Sequence, residues 1–117
     1  MLKIKSDGTI TMSRGDSVYI TVNVYDSEGQ EYLLKEGDKL YFSAKSKATD
    51  KNYAISPKVL GGDKGTTIEI EPEDTADLSF GTYLYDVQMI TANGKCNTII
   101  KPSKLIIEEV ITAHGDR

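Results

Sequence analysis

Residues 74–90 read DTADLSFGTYLYDVQMI. From Tyr83 onward the side chains alternate, with Tyr83, Tyr85, Val87 and Met89 on one side and Leu84, Asp86, Gln88 and Ile90 on the other. A period of two marks a strand with two unlike faces. Ahead of it stand Pro72, Glu73, Asp74 and Thr75, then Leu78 and Gly81. Proline early and acids near the N-terminal end suit a single helical turn. That order fits a bend carrying the chain from one sheet of a sandwich to the other. Asp74 and Thr75 start the turn, Leu78 plugs the core and Gly81 releases the bend. Tyr83 is the expected corner tyrosine, its hydroxyl returning to a nearby backbone group.

The same alternation recurs on both sides of this stretch. Thr9–Met12 is a short expected strand, ended by Ser13-Arg14-Gly15-Asp16. In Ser17–Asp26, Val18, Ile20, Val22 and Val24 face one way and Tyr19, Thr21, Asn23 and Tyr25 the other. Every residue from Val18 to Tyr25 except Asn23 is β-branched or aromatic, which suits a pleated, half-buried surface. Gln30–Leu34 reads as a short edge strand, and Lys39–Ser46 alternates again. Tyr53–Leu60 is weaker, and Pro57 inside it argues for an edge or a bulge because proline cannot donate to a ladder. Thr66–Glu71 precedes the helical turn, Asn93-Gly94 is a hairpin signal, and Pro102-Ser103 separates strands at Lys95–Lys101 and Lys104–Ile111. Short strands at regular spacing, bounded by Gly, Pro, Asn or Asp, predict an all-β antiparallel sandwich of about seven to nine strands. The expected inward set is Ile10, Val18, Ile20, Val22, Val24, Leu40, Phe42, Ile68, Ile70, Leu78, Tyr83, Tyr85, Val87, Met89 and Ile107.

A length of 117 residues fits one domain, with a lead-in over 1–8, the sandwich over 9–111 and a frayed tail over 112–117. The formal net charge of -4, with Lys and Arg scattered, disfavours a binder of phosphate backbones. A single cysteine, Cys96, allows no intrachain disulfide, and folding in a reducing cytoplasm is expected. The charged N-terminus is not expected to be a signal peptide. No apolar run approaches the ~20 residues of a membrane-spanning helix.

Signals for chemistry are thin. His114 lies in the expected tail, and Cys96 follows a hairpin among polar residues, with no second histidine to serve as its base. Glu71, Glu73, Asp74 and Asp77 cluster as calcium-type oxygens, but their spacing matches no EF-hand loop, and capping by Asp74 or Thr75 is the simpler role. Arg14-Gly15-Asp16 spells a cell-adhesion tripeptide; as structure, its glycine permits a tight turn. No catalytic residue, cofactor or metal is expected. What remains is an outward set for protein contact: Tyr19, Tyr25, Tyr41, Leu84 and Ile90, with Tyr32 beside them. Leu84→Lys is expected mainly to weaken assembly.

With the strands placed, the chain resembles a family. The run from Ile10 to Lys45 and the run from Ile68 to Ile100 resemble small tail and baseplate proteins of phages and prophages of Gram-positive bacteria. The pattern is similar to the N-terminal immunoglobulin-like domain of phage baseplate upper proteins. Its carriers are the Arg14-Gly15-Asp16 turn entering a β-branched strand and the Gly37-Asp38 turn before Leu40-Tyr41-Phe42. Asp74-Thr75 followed by Leu78, Gly81, Tyr83 and Tyr85-Asp86 completes the pattern, with a closing hairpin and strand. The resemblance implies an immunoglobulin-like sandwich and a non-enzymatic structural role. It further implies tail or baseplate subunits as partners in a homo- or hetero-oligomer, and no nucleic acid, membrane or small-molecule substrate. The protein would be made in the bacterial cytoplasm and assembled into the virion. Two other expectations stand beside it: a carbohydrate-binding module using Tyr25, Tyr32 and Tyr41 as stacking platforms, and a calcium-dependent module.

Overall fold

Alternating burial in the strands organises the computed structural model, which describes residues 3–4, 8–47, 49–61 and 67–109. In chain order the elements are β1 (Lys3–Ile4), β2 (Ile10–Ser13), β3 (Val18–Thr21), β4 (Lys39–Lys45), β5 (Ile55–Gly61), β6 (Thr67–Ile70), α1 (Pro72–Thr75), β7 (Gly81–Ile90) and β8 (Cys96–Glu108). They form a six-stranded sheet in the order β1-β2-β8-β7-β4-β5 and a two-stranded sheet, β3-β6. The fold is all-β. The expectation of antiparallel pairing throughout is corrected by β2, which runs parallel to β8 with Ile10 opposite Leu105 and Met12 opposite Ile107. Parallel neighbours need a long connection, and here β3 to β7 fill the interval between the two strands.

Both sheets contribute to one core. Val18, Ile20, Ile68 and Ile70 come from the small sheet, and Ile10, Met12, Leu40, Phe42, Ala44, Ile55, Tyr85, Val87, Met89, Leu105 and Ile107 from the large one. Val22 and Val24 stay buried although β3 ends at Thr21, so the alternation outlasts the ladder. Two expected core residues, Leu78 and Tyr83, are only half-buried and pack on the core's margin. Tyr85 is the tyrosine that enters the core, lying 5.4 Å from the Phe42 ring in a tilted pair. Its hydroxyl donates to the carbonyl of Gly8, which lets a polar tip sit in an apolar interior.

Three further expectations change. Gln30–Leu34 is no strand; it is reduced to a single bridge between Tyr25 and Glu31 around the turn closed by Asp26. Lys3–Ile4, inside the expected lead-in, pairs with β2. Pro102 does not divide two strands, because β8 runs unbroken from Cys96 to Glu108. It is accommodated by a bulge: Tyr85 opposes Ser103 and Val87 opposes Ile100, so Lys101 and Pro102 together face Asp86. Pro57 is accommodated likewise on β5, which ends the sheet order among the described residues. Phe42 opposes Lys58 and Ala44 opposes Ile55, so Ser56 and Pro57 face Ser43. A bulge leaves an extra residue outside the ladder, where a missing N–H costs nothing. The expected tail, with His114, lies outside the described residues.

Candidate functional site

The turn that enters β7 is a locked corner. The Asp74 carboxylate accepts from the backbone N–H of Glu71 at 2.7 Å and pairs with Lys58 Nζ at 2.7 Å, which ties α1 to β5. Glu71, not Asp74 or Thr75, is the N-cap. Thr75 is fully buried, and its Oγ1 accepts from the N–H of Gly15 at 2.8 Å. Gly15 adopts φ +82° with no atom near the position of a Cβ, so backbone conformation alone asks for glycine there. Gly81 opens β7 at φ +144°, also a region that side chains disfavour. The Tyr83 hydroxyl donates to the carbonyl of Ser79 at 2.7 Å, at the solvent-facing side of the bend.

Arg14-Gly15-Asp16 is part of this corner. Arg14 Nη1 donates to the carbonyl of Leu78 at 3.2 Å and Nη2 pairs with Glu109 at 2.6 Å. The adhesion motif needs its arginine extended toward a receptor, whereas this guanidinium is spent on the protein itself. Among the described residues, no three of His, Cys, Asp and Glu converge as metal ligands.

A second polar centre joins the β3–β4 connection to the β7–β8 hairpin. Asp38 is buried and accepts from the Tyr32 hydroxyl at 2.7 Å, from the N–H of Lys35 at 2.9 Å and from the N–H of Ala92 at 3.2 Å. The Tyr32 hydrogen bond, then the Lys35 N–H, hold the Asp38 carboxyl below its ordinary pKa, and the same tyrosine bond raises Tyr32.

The structure does not bring the outward set together. Tyr19 lies on the small sheet and Tyr25 on the β3–β4 connection, both well exposed. Tyr41, Leu84 and Ile90 share the outer face of the large sheet, half-buried. Polar neighbours separate them: Tyr41 opposes Gln88, Leu84 lies between Lys45 and Lys104, and Ile90 lies between Lys39 and Cys96. Of the tyrosines expected as stacking platforms, Tyr25 is exposed on the β3–β4 connection, Tyr41 is half-buried on the large sheet and Tyr32 packs against the core. Tyr32 is engaged by Asp38, with Lys35 Nζ 5.8 Å from its ring centre. Exposed Leu33, Val59 and Phe80 were not anticipated, since single apolar side chains facing water leave no pattern.

That same outer face carries a cleft of about 320 Å³. Its floor is Ser43 and Lys45 from β4 with Leu84, Asp86 and Gln88 from β7; Pro102 closes one side and Tyr53, from the β4–β5 connection, the other. Lys45 Nζ rests 4.9 Å from the centre of the Tyr53 ring, a cation–π distance. Burial raises the Asp86 pKa, and Lys45 partly opposes that rise. Cys96 Sγ reaches Gln88 Oε1 at 3.5 Å and has no base beside it in the described structure. Ser43, Lys45, Tyr53 and Pro102 are cleft residues that sequence reasoning missed; Tyr53 reads in the sequence as the start of the Tyr53–Leu60 strand.

No protein-family model matches the chain, and no curated protein is significantly similar to it.

Proposed function

We propose that this chain is an immunoglobulin-like, non-enzymatic assembly protein of a phage or prophage tail or baseplate, made in the bacterial cytoplasm and incorporated into the virion through contacts with other tail subunits. The observation that carries the fold reading is strand order. The run β8-β7-β4-β5 opposite β3-β6 matches G-F-C-C′ opposite B-E in a variable-type immunoglobulin sandwich. The Tyr83–Ser79 bond ahead of β7 adds to it, standing where such folds carry a tyrosine corner.

The role rests on the sequence resemblance and on how the polar groups are used. At the corner and at Asp38 they are consumed by the fold. Among the described residues, what the molecule offers a neighbour is the outer face of the large sheet and the edge of β5, and unpaired edges invite strand addition. The identity of the flanking genes tests the reading most directly. Tail, capsid or lysis genes beside this one are expected, and their absence sinks the phage assignment.

A further inference from the structure

We propose that the cleft on the outer face of the large sheet binds a neutral saccharide, whose apolar ring face stacks on Tyr53 while Ser43, Asp86 and Gln88 hydrogen-bond its hydroxyls.

The first support is how the cleft is built. Ser43 and Asp86 are directly paired across β4 and β7. At that one level both flanking strands carry an extra residue: Ser56-Pro57 on β5 and Lys101-Pro102 on β8. Each bulge leaves an extra residue outside the ladder at this level, and Pro102 of the β8 bulge lines the cleft. Bulges recur next to sites because they re-aim side chains and end regular pairing.

The second support is a half-buried acid whose carboxylate still reaches solvent. Asp86 is half-buried in the floor, and among the described residues no group hydrogen-bonds its carboxylate; Lys45 is the cation facing it. Partial burial disfavours its charged form and Lys45 offsets that only in part, so a ligand that donates to the carboxylate is favoured.

The chemistry then narrows by charge. An anion meets Asp86, and a cation meets Lys45. An apolar ligand would strip water from Lys45, Asp86 and Gln88 without replacing it. A neutral ligand with several hydroxyls satisfies donors and acceptors together, and the half-exposed Tyr53 ring, with Lys45 Nζ over one face, leaves ring surface for the C–H face of a pyranose. A volume of about 320 Å³ lies at the small end of ligand pockets, which begin at roughly 300 Å³.

The inference does not depend on the assembly reading, and Tyr53 lies outside the contact set proposed for assembly. Saturation-transfer NMR with free glucose, galactose and N-acetylglucosamine, and with polysaccharides ending in the same sugars, tests it. At least one sugar is expected to receive saturation and to shift the resonances of Gln88 and Tyr53. Binding of the polysaccharide alone identifies a surface glycan as the source; binding of the free sugar alone identifies a soluble one. Tyr53→Ala and Asp86→Asn are each expected to weaken binding about tenfold. Both variants should remain folded, since Tyr53 is on an exposed connection and Asp86→Asn removes only a charge. Three outcomes overturn the proposal: no sugar binds, binding survives both substitutions, or lysine methyl ester binds where the sugars do not.

Discussion

Several side chains tie distant stretches of backbone together through a hydrogen bond. Thr75 is the clearest case, because its hydroxyl is the partner of a buried backbone N–H at Gly15. Thr75→Val keeps the volume and orphans the donor, so a loss of about 1–3 kcal/mol is expected in chemical denaturation, with Thr75→Ser retaining most of the stability. Tyr83→Phe loses a bond open to water, and a loss of no more than about 1 kcal/mol is expected. The Tyr32–Asp38 bond sets a pH dependence with two arms. Asp38 has a depressed pKa, so its contribution is present above the unfolded value of about 3.9 and is lost as pH falls through the folded one. Tyr32 has a raised pKa, so its contribution is present below about 10 and is lost as pH rises through the folded one. Melting curves of Tyr32→Phe across pH should be flatter at both ends. Asp86 has the opposite sign to Asp38. A carboxylate raised on folding opposes stability once it ionises, so Asp86→Asn is expected to raise the melting temperature at neutral pH and to leave it unchanged below the carboxylate range.

At the scale of elements, α1 is too short to hold itself and depends on what it touches. Asp74 links it to β5 through Lys58 and closes its first turn through the N–H of Glu71. Asp74→Ala is expected to cost about 1–2 kcal/mol because it removes both bonds, while Lys58→Met costs under about 1 kcal/mol because a partly exposed ion pair is worth little. Thermal melts of the two single variants and the double variant separate the cap from the pair. The strands themselves were legible wherever one face is buried: β2, β3, β4, β6 and β7 follow the alternation of their residues. The proline in β8 misled, since sequence shows a missing donor but not the bulge that makes the loss harmless. Gln30–Leu34 fell short of a strand because it folds back on Val24–Asp26 through one bridge and two backbone bonds only, too few for a ladder.

For the whole molecule, the outer face of the large sheet is the surface to test for assembly. Ile90→Lys is expected to shift the chain toward monomer in sedimentation without changing its melting temperature, because Ile90 faces outward beside Lys39 and Cys96. Leu84→Lys should do the same, but it also lines the cleft, so only the Ile90 variant separates contact from ligand binding. Of the candidate site, the row Leu84, Asp86 and Gln88 was readable as the strand's second face. Its partners Ser43, Lys45, Tyr53 and Pro102 were not, because they come from segments far away in the chain.

The sequence by itself determined that this protein is all-β, which side of most strands is buried, and that Gly15 and Gly81 stand at bends. These are local matters, governed by a period of two and by the sterics of one residue. Only the tertiary structure decided that β2 runs parallel to β8, that Tyr85 and not Tyr83 enters the core, and that two prolines 45 positions apart in number, Pro57 and Pro102, fall on either side of the Ser43–Asp86 pair. Register between distant strands is fixed by the sum of many contacts across the sheet, and no single segment carries that information.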